Sequence, residues 1–249
     1  MNKFLKLFIK GIPIGISNTL PGVSGGTMAL VLDIYDDLIS GIKKIRLSIV
    51  GPIFFGAMIG VLGSSKIITS LLESYPNLIK AFLLGLIFAS SKVTFKQVKK
   101  INLKTISLCL VGLLLALMYS VELDSVTKAG ALSYFKIFFG GVIGSVAMIL
   151  PGVSGGTVLI MLGLYEGVLE AITTFNLSVI AIFGLGVGSG LLIFSQILFF
   201  LLNNFRSLLM AFLTGLILGS MRSVISFQLG IGVVISFILG VIIIQLLSE

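Results

Sequence analysis

One eight-residue motif occurs twice in the chain, and its residue types are suited to binding an anion. LPGVSGGT occupies positions 20–27 and again 150–157, an offset of 130 residues. Each proline lacks an N–H group and ends the preceding helix, while the glycines let a ligand approach the backbone. The serine and threonine can cap the next helix or donate hydrogen bonds. Exposed N–H groups at such a helix start favour a phosphate or a carboxylate.

The two motifs give eight candidate substrate-binding residues, four in each copy. They are Ser24, Gly25, Gly26 and Thr27, together with Ser154, Gly155, Gly156 and Thr157. For a single copy, the simpler interpretation is a glycine-rich kink that lets helices pack closely in a membrane. Two copies at matched positions favour a binding site, because both helix starts could then hold one anion near the middle of the membrane.

Four cationic residues are matched by the same offset. Lys6 pairs with Lys136, and Lys92 pairs with Arg222. A symmetric set of cations could handle a phosphate, so these four complete the predicted substrate-binding set. The simpler alternative is that each side chain extends to the lipid head groups at the membrane surface.

The composition predicts an integral membrane protein. Of 249 residues, 57% are hydrophobic and only 10% are charged, and the mean hydropathy is +1.22. A soluble domain would carry roughly a quarter charged residues. We therefore expect one membrane domain over residues 1–249. The net charge of +8 suits cytoplasmic loops and anionic lipids rather than a nucleic-acid partner.

The residue types also exclude several kinds of chemistry. Without histidine, the chain cannot form a Ser-His hydrolase, a histidine-dependent lipid phosphatase or a histidine-ligated zinc site. The single cysteine, Cys109, can form no internal disulfide and lies in an apolar stretch, which is typical of core packing. We predict no catalytic residue, no metal and no cofactor.

The duplication extends over most of the chain, with repeat 1 at 1–121 and repeat 2 at 131–249. In each repeat, two apolar arms flank the motif and three apolar segments follow. The predicted arms are 4–20 and 25–40, then 131–150 and 155–170. The predicted segments are 48–72, 77–91 and 105–121, then 179–202, 207–221 and 228–247, with a polar linker at 122–128.

Positive charges indicate how these segments cross the membrane. Lysines and arginines cluster before the first arm, after the second arm and two crossings later, which places all three clusters and both termini in the cytoplasm. Each repeat then crosses an odd number of times, whether its arms span fully or form a re-entrant hairpin. Two tandem repeats of this kind have opposite orientations, as in secondary transporters. The predicted fold is an all-α integral membrane protein with two inverted-topology repeats, each a re-entrant helical hairpin plus three transmembrane helices.

The paired motifs, each followed by L-x-x-Y and an acidic residue, resemble a known bacterial family. The stretches are Val31 to Asp36 and Met161 to Glu166. The family is that of polyprenyl-phosphate (undecaprenyl-phosphate) translocases, the PopT family. The resemblance implies a flippase in the cell membrane that returns the lipid-carrier phosphate from the outer to the inner leaflet for reuse in cell-wall synthesis. Its partner would be a polyprenyl-phosphate lipid.

The expected partners of such a transporter include a coupling proton or sodium ion. Asp33, Glu166 and Glu170 could carry protons, but each could equally lie in solvent at the membrane surface. Two other functions stay open: a channel or secondary transporter for another small anion or solute, and an enzyme acting on a polyprenyl lipid.

Overall fold

The structure, a computed structural model, describes residues 2–119, 133–225 and 230–248. The predicted linker at 122–128 lies outside the described residues, as do Met1 and Glu249, whose cytoplasmic location was predicted. The described residues form helices joined by short turns and contain no β-strand.

Within the described ranges, six α-helices in the first half are followed by six in the second, and a short 3-10 helix, Met221–Ser223, follows the fifth of the second half. The first half contains α1 (Lys3–Asn18), α2 (Gly25–Val31), α3 (Tyr35–Lys43), α4 (Leu47–Ser74), α5 (Pro76–Phe95) and α6 (Leu103–Tyr119). The second contains α7 (Tyr134–Ile149), α8 (Gly155–Met161), α9 (Tyr165–Thr173), α10 (Leu177–Asn204), α11 (Arg206–Ser220) and α12 (Ile231–Leu247). The bounds of α2, α3 and α4 recur in α8, α9 and α10 at the 130-residue offset.

By length and composition, α4, α5 and α10 could each cross a membrane alone. At 1.5 Å per residue, the 28 residues of α4 extend about 42 Å, which exceeds a hydrocarbon core of about 30 Å. Helices α6, α7 and α12 are apolar but shorter. The predicted segments and the first arm of each half therefore correspond to single helices.

The second arm of each half differs from the expectation of one continuous helix. Residues 25–40 are divided between α2 and α3, and residues 155–170 between α8 and α9, which meet at an angle of 108°. The cause is local: Asp33 and Gly163 adopt left-handed conformations, with φ of 53° and 66°. Such a residue ends a helix by turning the next N–H group back onto the last helical turn.

Backbone hydrogen bonds close the turns after α2 and α8. The N–H of Ile34 donates to the carbonyl of Ala29 at 3.0 Å, and the N–H of Leu164 donates to that of Leu159 at 2.9 Å. Aspartate tolerates the left-handed region better than most residues, whereas glycine adopts it freely. Asp33 thus has the same left-handed backbone conformation as Gly163. The turn is therefore the same in both halves, although one has aspartate and the other glycine at this position.

Glycines set the packing of the helices that surround the motifs. Helix α1 packs on α4 and α7 on α10, with Gly56 against the carbonyl oxygen of Phe8 and Gly186 against that of Phe138. Two further pairs join the halves, since α5 packs on α12 and α6 on α11. The two halves therefore share one core.

We expect the conformation of Asp33 to govern how this position tolerates substitution. Asp33→Gly should leave the melting temperature unchanged or slightly higher, because glycine adopts the left-handed region without a Cβ clash. Asp33→Val should destabilise the protein by roughly 1–2 kcal/mol. Thermal melting in detergent measures both, with Gly163→Val as the matched variant in the second half. Equal melting temperatures for Asp33→Gly and Asp33→Val would contradict this account.

Candidate functional site

The two motifs meet at the centre of the molecule. The N–H of Gly152 donates to the hydroxyl oxygens of Ser24, at 3.1 Å, and Thr27, at 2.9 Å. The Ser24 hydroxyl also lies 3.3 Å from the carbonyl oxygen of Leu150, to which it can donate. Ser24 and Thr27 are both buried. Hydroxyls of the first motif thus satisfy backbone groups of the second, where the proline interrupts the helix.

A buried tyrosine extends the same contact. The hydroxyl of Tyr35 donates to the carbonyl of Ile149 at 3.1 Å, and only 2% of Tyr35 is exposed. Helix α3, which begins at this tyrosine, also packs along α10. The chain from 149 to 152 is therefore covered by α2 and by the start of α3.

The second motif and its hairpin are more exposed than the first. Tyr165, the counterpart of Tyr35, is 44% exposed, and its hydroxyl has no hydrogen-bond partner among the described residues. Ser154 and Thr157 are only half-buried, and the Ser154 oxygen accepts a long hydrogen bond from the Thr157 N–H at 3.4 Å. Helix α9 makes no packing contact with α4 comparable to that of α3 with α10. The two hairpins have similar sequences but different surroundings.

A cavity of about 510 Å³ lies where the second motif is left uncovered. We call it the wide cavity. Its polar lining comes from Asn18, Thr19, Ser24, Ser145 and Ser154, with Gly155 and Gly156. Among the described residues, no lysine, arginine, aspartate or glutamate lines it. The wide cavity therefore offers hydroxyl and amide groups without a full charge.

Asn18 is a lining residue that the sequence interpretation missed. Its Oδ1 accepts a hydrogen bond from the N–H of Gly25 at 2.9 Å. Because an N–H can only donate, this contact fixes the orientation of the amide. Both N–H groups of Nδ2 are then available, with no partner among the described residues. The residue at the matching position is Met148, so the search for symmetric pairs passed over this asparagine.

A second, smaller pocket of about 150 Å³ lies on the other side of the first motif. We call it the narrow pocket. It contains Gly25 and Gly26, and otherwise mostly apolar side chains such as Ile53 and Ala57. Asn18 and Met148 line both the narrow pocket and the wide cavity. Thr27 and Thr157 line neither.

The predicted cations lie away from both spaces. Lys6, Lys136, Lys92 and Arg222 are exposed, and none lines the wide cavity or the narrow pocket. A different lysine lies closer to the motif, since the half-buried Lys10 donates to the carbonyl of Leu32 at the end of α2. The structure thus brings the two motifs together but leaves the four predicted cations at the periphery.

Charged and aromatic residues fasten α3 against α10 and the start of α11. The guanidinium of Arg206 donates to Asp36 at 2.6 Å and to Gln97 at 2.8 Å. The ammonium of Lys43 lies 3.7 Å from the centre of the Phe199 ring. We call the Asp36–Arg206 and Lys43–Phe199 pairs the latch. An exposed ion pair and an exposed cation–π contact each contribute only about 0.2–1 kcal/mol, so the latch is weak enough to open.

Comparison with known proteins identifies the family. A family model described as undecaprenyl phosphate translocase-like matches residues 14–55 and 47–240. The chain belongs to this family. The resemblance drawn from the paired motifs therefore assigned the correct family, and the apolar helices of this translocase-like protein make it a multi-pass membrane protein.

Two curated relatives support the assignment over most of the chain. A polyprenyl-phosphate transporter of Vibrio cholerae is 33% identical over 243 residues, covering 89% of this chain and 77% of the relative. A polyprenyl-phosphate transporter of Staphylococcus aureus is 28% identical over 238 residues, covering 87% and 84%. No solved structure matches. Both relatives are named as transporters, in agreement with the prediction that this translocase-like chain is not an enzyme.

The hydrogen bond from Tyr35 gives a direct test of the asymmetry. Tyr35→Phe should destabilise the protein by about 1 kcal/mol, because the buried carbonyl of Ile149 loses this partner. Tyr165→Phe should change stability by much less, since its hydroxyl has no partner to lose. Melting temperatures of the two purified variants are the measurement. Equal losses would mean that both tyrosines are bonded in the same way.

Proposed function

We propose that this protein transports polyprenyl phosphate across the cell membrane, returning the carrier lipid from the outer to the inner leaflet. The observation that carries the proposal is the wide cavity, whose hydroxyl, amide and glycine lining faces both motifs. The names of the two curated relatives support the substrate class. The phosphate head group would occupy the wide cavity, while the isoprenoid tail stays in lipid.

The chemistry of the lining suits a phosphate monoester. Each hydrogen bond to a charged group contributes about 1.5–3 kcal/mol, so a few neutral donors can replace the water around the phosphate. Asn18 supplies two N–H groups. The hydroxyls of Thr19, Ser24 and Ser145 donate to backbone carbonyls in this structure and would have to rotate to donate to the phosphate, and Ser154 adds a further hydroxyl. Neutral donors also let the anion leave again, because no fixed cation holds it in the cavity. The peripheral cations Lys6, Lys136, Lys92 and Arg222 would attract the anionic lipid to the protein.

The proposed mechanism uses two inverted repeats, 1–121 and 131–249. The recurrence of helix bounds at the 130-residue offset supports the repeats, and the distribution of lysine and arginine supports their opposite orientation. In this orientation the start of α10 would be extracytoplasmic. The wide cavity, which Phe183 and Val187 of α10 line, would then lie in the outer half of the membrane. In the opposite state, Ser154 and Thr157 would bond to the N–H of Gly22 and release Ser24 and Thr27.

A transporter for another small anion or solute is the second candidate. The specific observation in its favour is the uncharged lining of the wide cavity, which does not by itself require a lipid phosphate. Coupling to a proton or a sodium ion stays a proposal in either case. No aspartate or glutamate lines either space in the described part of the chain, so Asp33, Glu166 and Glu170 would have to act from elsewhere.

Purified protein in liposomes tests the proposed function. We expect undecaprenyl phosphate added to one leaflet to reach the other faster with the protein than without it. Phosphate release from the lipid would instead indicate an enzyme, and flux of inorganic ions would indicate a channel. Either result, without lipid movement, would contradict the proposal.

Asn18→Asp tests the head-group donors without removing the local cap. The aspartate keeps an oxygen for the N–H of Gly25 but loses both N–H donors and carries a negative charge. Affinity for a short-chain polyprenyl phosphate should fall by at least about a hundredfold, because two hydrogen bonds to a charged group, worth about 1.5–3 kcal/mol each, are lost and a like charge is added. The melting temperature should stay near that of the wild type. Met148→Leu is the matched control, and unchanged affinity in Asn18→Asp would remove Asn18 from the site.

Gly156→Ala tests the exchange between the two states. A Cβ on Gly156 has room here, with no contact closer than 3.9 Å, whereas a Cβ on Gly26 would lie 2.7 Å from the carbonyl oxygen of Ile149. In the opposite state Gly156 would meet the carbonyl of Thr19. We therefore expect Gly156→Ala to fold and to bind the lipid phosphate, but to transport it at least tenfold more slowly. Wild-type transport would contradict the symmetric mechanism.

A further inference from the structure

The narrow pocket resembles the wide cavity residue by residue. Nine of its thirteen lining residues match residues of the wide cavity at the 130-residue offset. Gly25 and Gly26 correspond to Gly155 and Gly156, and Ala57 corresponds to Val187. Asn18 and Met148 correspond to each other and line both spaces. The two spaces are therefore equivalent parts of the two halves, at about 150 Å³ and 510 Å³.

Helix α3 accounts for the difference in size. Leu38 and Ile42 of α3 line the narrow pocket, whereas no residue of α9 lines the wide cavity. The latch, Asp36–Arg206 and Lys43–Phe199, holds α3 in this position. The narrow pocket is small because α3 lies across it.

We infer that the narrow pocket is a second, cytoplasm-facing binding site for the phosphate monoester head group, closed in this structure. The inference rests on the proposed function and assigns the inner end of the same transport path. When α3 separates from α10, the pocket enlarges, and Ser24 and Thr27 are released from Gly152 to serve as donors. Asn18 reaches both spaces, so the head group keeps one partner as it moves inward.

The latch is specific to the inner side. At the matching positions of the other half, Asp36–Arg206 becomes Glu166–Pro76, and Lys43–Phe199 becomes Thr173–Thr69. Neither of these pairs can form an ion pair or a cation–π contact. The inner site therefore closes more firmly than the outer site, and the empty protein favours the state with the wide cavity open.

Filling the narrow pocket separates binding from transport. Ala57→Phe places a ring in the narrow pocket and leaves the wide cavity unchanged. We expect it to bind a short-chain polyprenyl phosphate within about twofold of wild type and to transport lipid at least tenfold more slowly. Val187→Phe fills the wide cavity at the matching position and should abolish binding. Ile59→Phe, on an exposed part of the same helix as Ala57, should change neither.

These measurements distinguish a failure of the inner site from a failure of the proposed function. Wild-type transport by Ala57→Phe would overturn the inner site, as would a loss of binding equal to that of Val187→Phe in a variant that melts normally. If Ala57→Phe does not fold, Val50→Phe fills the same pocket and is measured in the same way. Absence of lipid transport by the wild-type protein would instead defeat the proposed function.

Chemical labelling tests the latch independently. In a Cys109→Ser background, Ala57→Cys reports access to the narrow pocket by a membrane-impermeant maleimide applied to the cytoplasmic face. Arg206→Gln should increase the labelling rate at least threefold, because α3 loses its ion pair with Asp36. Glu166→Gln, at the position that matches Asp36, should leave the rate unchanged. An unchanged rate in Arg206→Gln would overturn the role of the latch.

Discussion

The fold depends on the hydrogen bonds between Gly152 and the hydroxyls of Ser24 and Thr27, because they pair backbone groups that would otherwise be buried without a partner. A proline interrupts the chain at each motif and frees backbone groups in an apolar region, where every unpaired group is costly. At the second interruption those groups are satisfied by the first motif. The burial of α2 and the position of Tyr35 accompany this contact. The second motif is only half-buried, and the wide cavity lies beside it.

The uncharged character of the described residues that line the wide cavity shapes what the site can do. A buried lysine or arginine would bind a phosphate strongly but would carry a large desolvation cost whenever the site is empty. Neutral donors such as the Asn18 amide avoid that cost, because they can bond to water in the empty state. The cationic residues Lys6, Lys136, Lys92 and Arg222 lie where water solvates them. This separation suits a site that must bind and release an anion repeatedly.

The sequence predicts the positions of the apolar helices well, but it predicts poorly the break in the second arms and the different burial of the two motifs. Composition, the repeated motif and the apolar segments were enough to place eight of the helices in the described part of the chain, because each depends on local hydrophobicity and on proline or glycine. The division of the second arms was missed, since Asp33 in a left-handed conformation has no signal beyond its alignment with Gly163. Asn18 was missed because its partner, Met148, is apolar. The different burial of the two motifs could not be predicted at all, because two nearly identical stretches of sequence predict identical surroundings.

Helices α5 and α6 of the first half pack on α12 and α11 of the second. This pairing determines when the protein can assemble during synthesis. Gly85 on α5 packs against the carbonyl of Phe237, and Gly112 on α6 packs against that of Phe212, so both depend on helices made last. While the ribosome is still translating residues beyond 121, these small-residue faces have only lipid to contact. The first half can therefore insert into the bilayer but cannot complete its helix packing until α11 and α12 have been synthesised. Folding of the two halves is therefore one event, completed only when α12 enters the membrane.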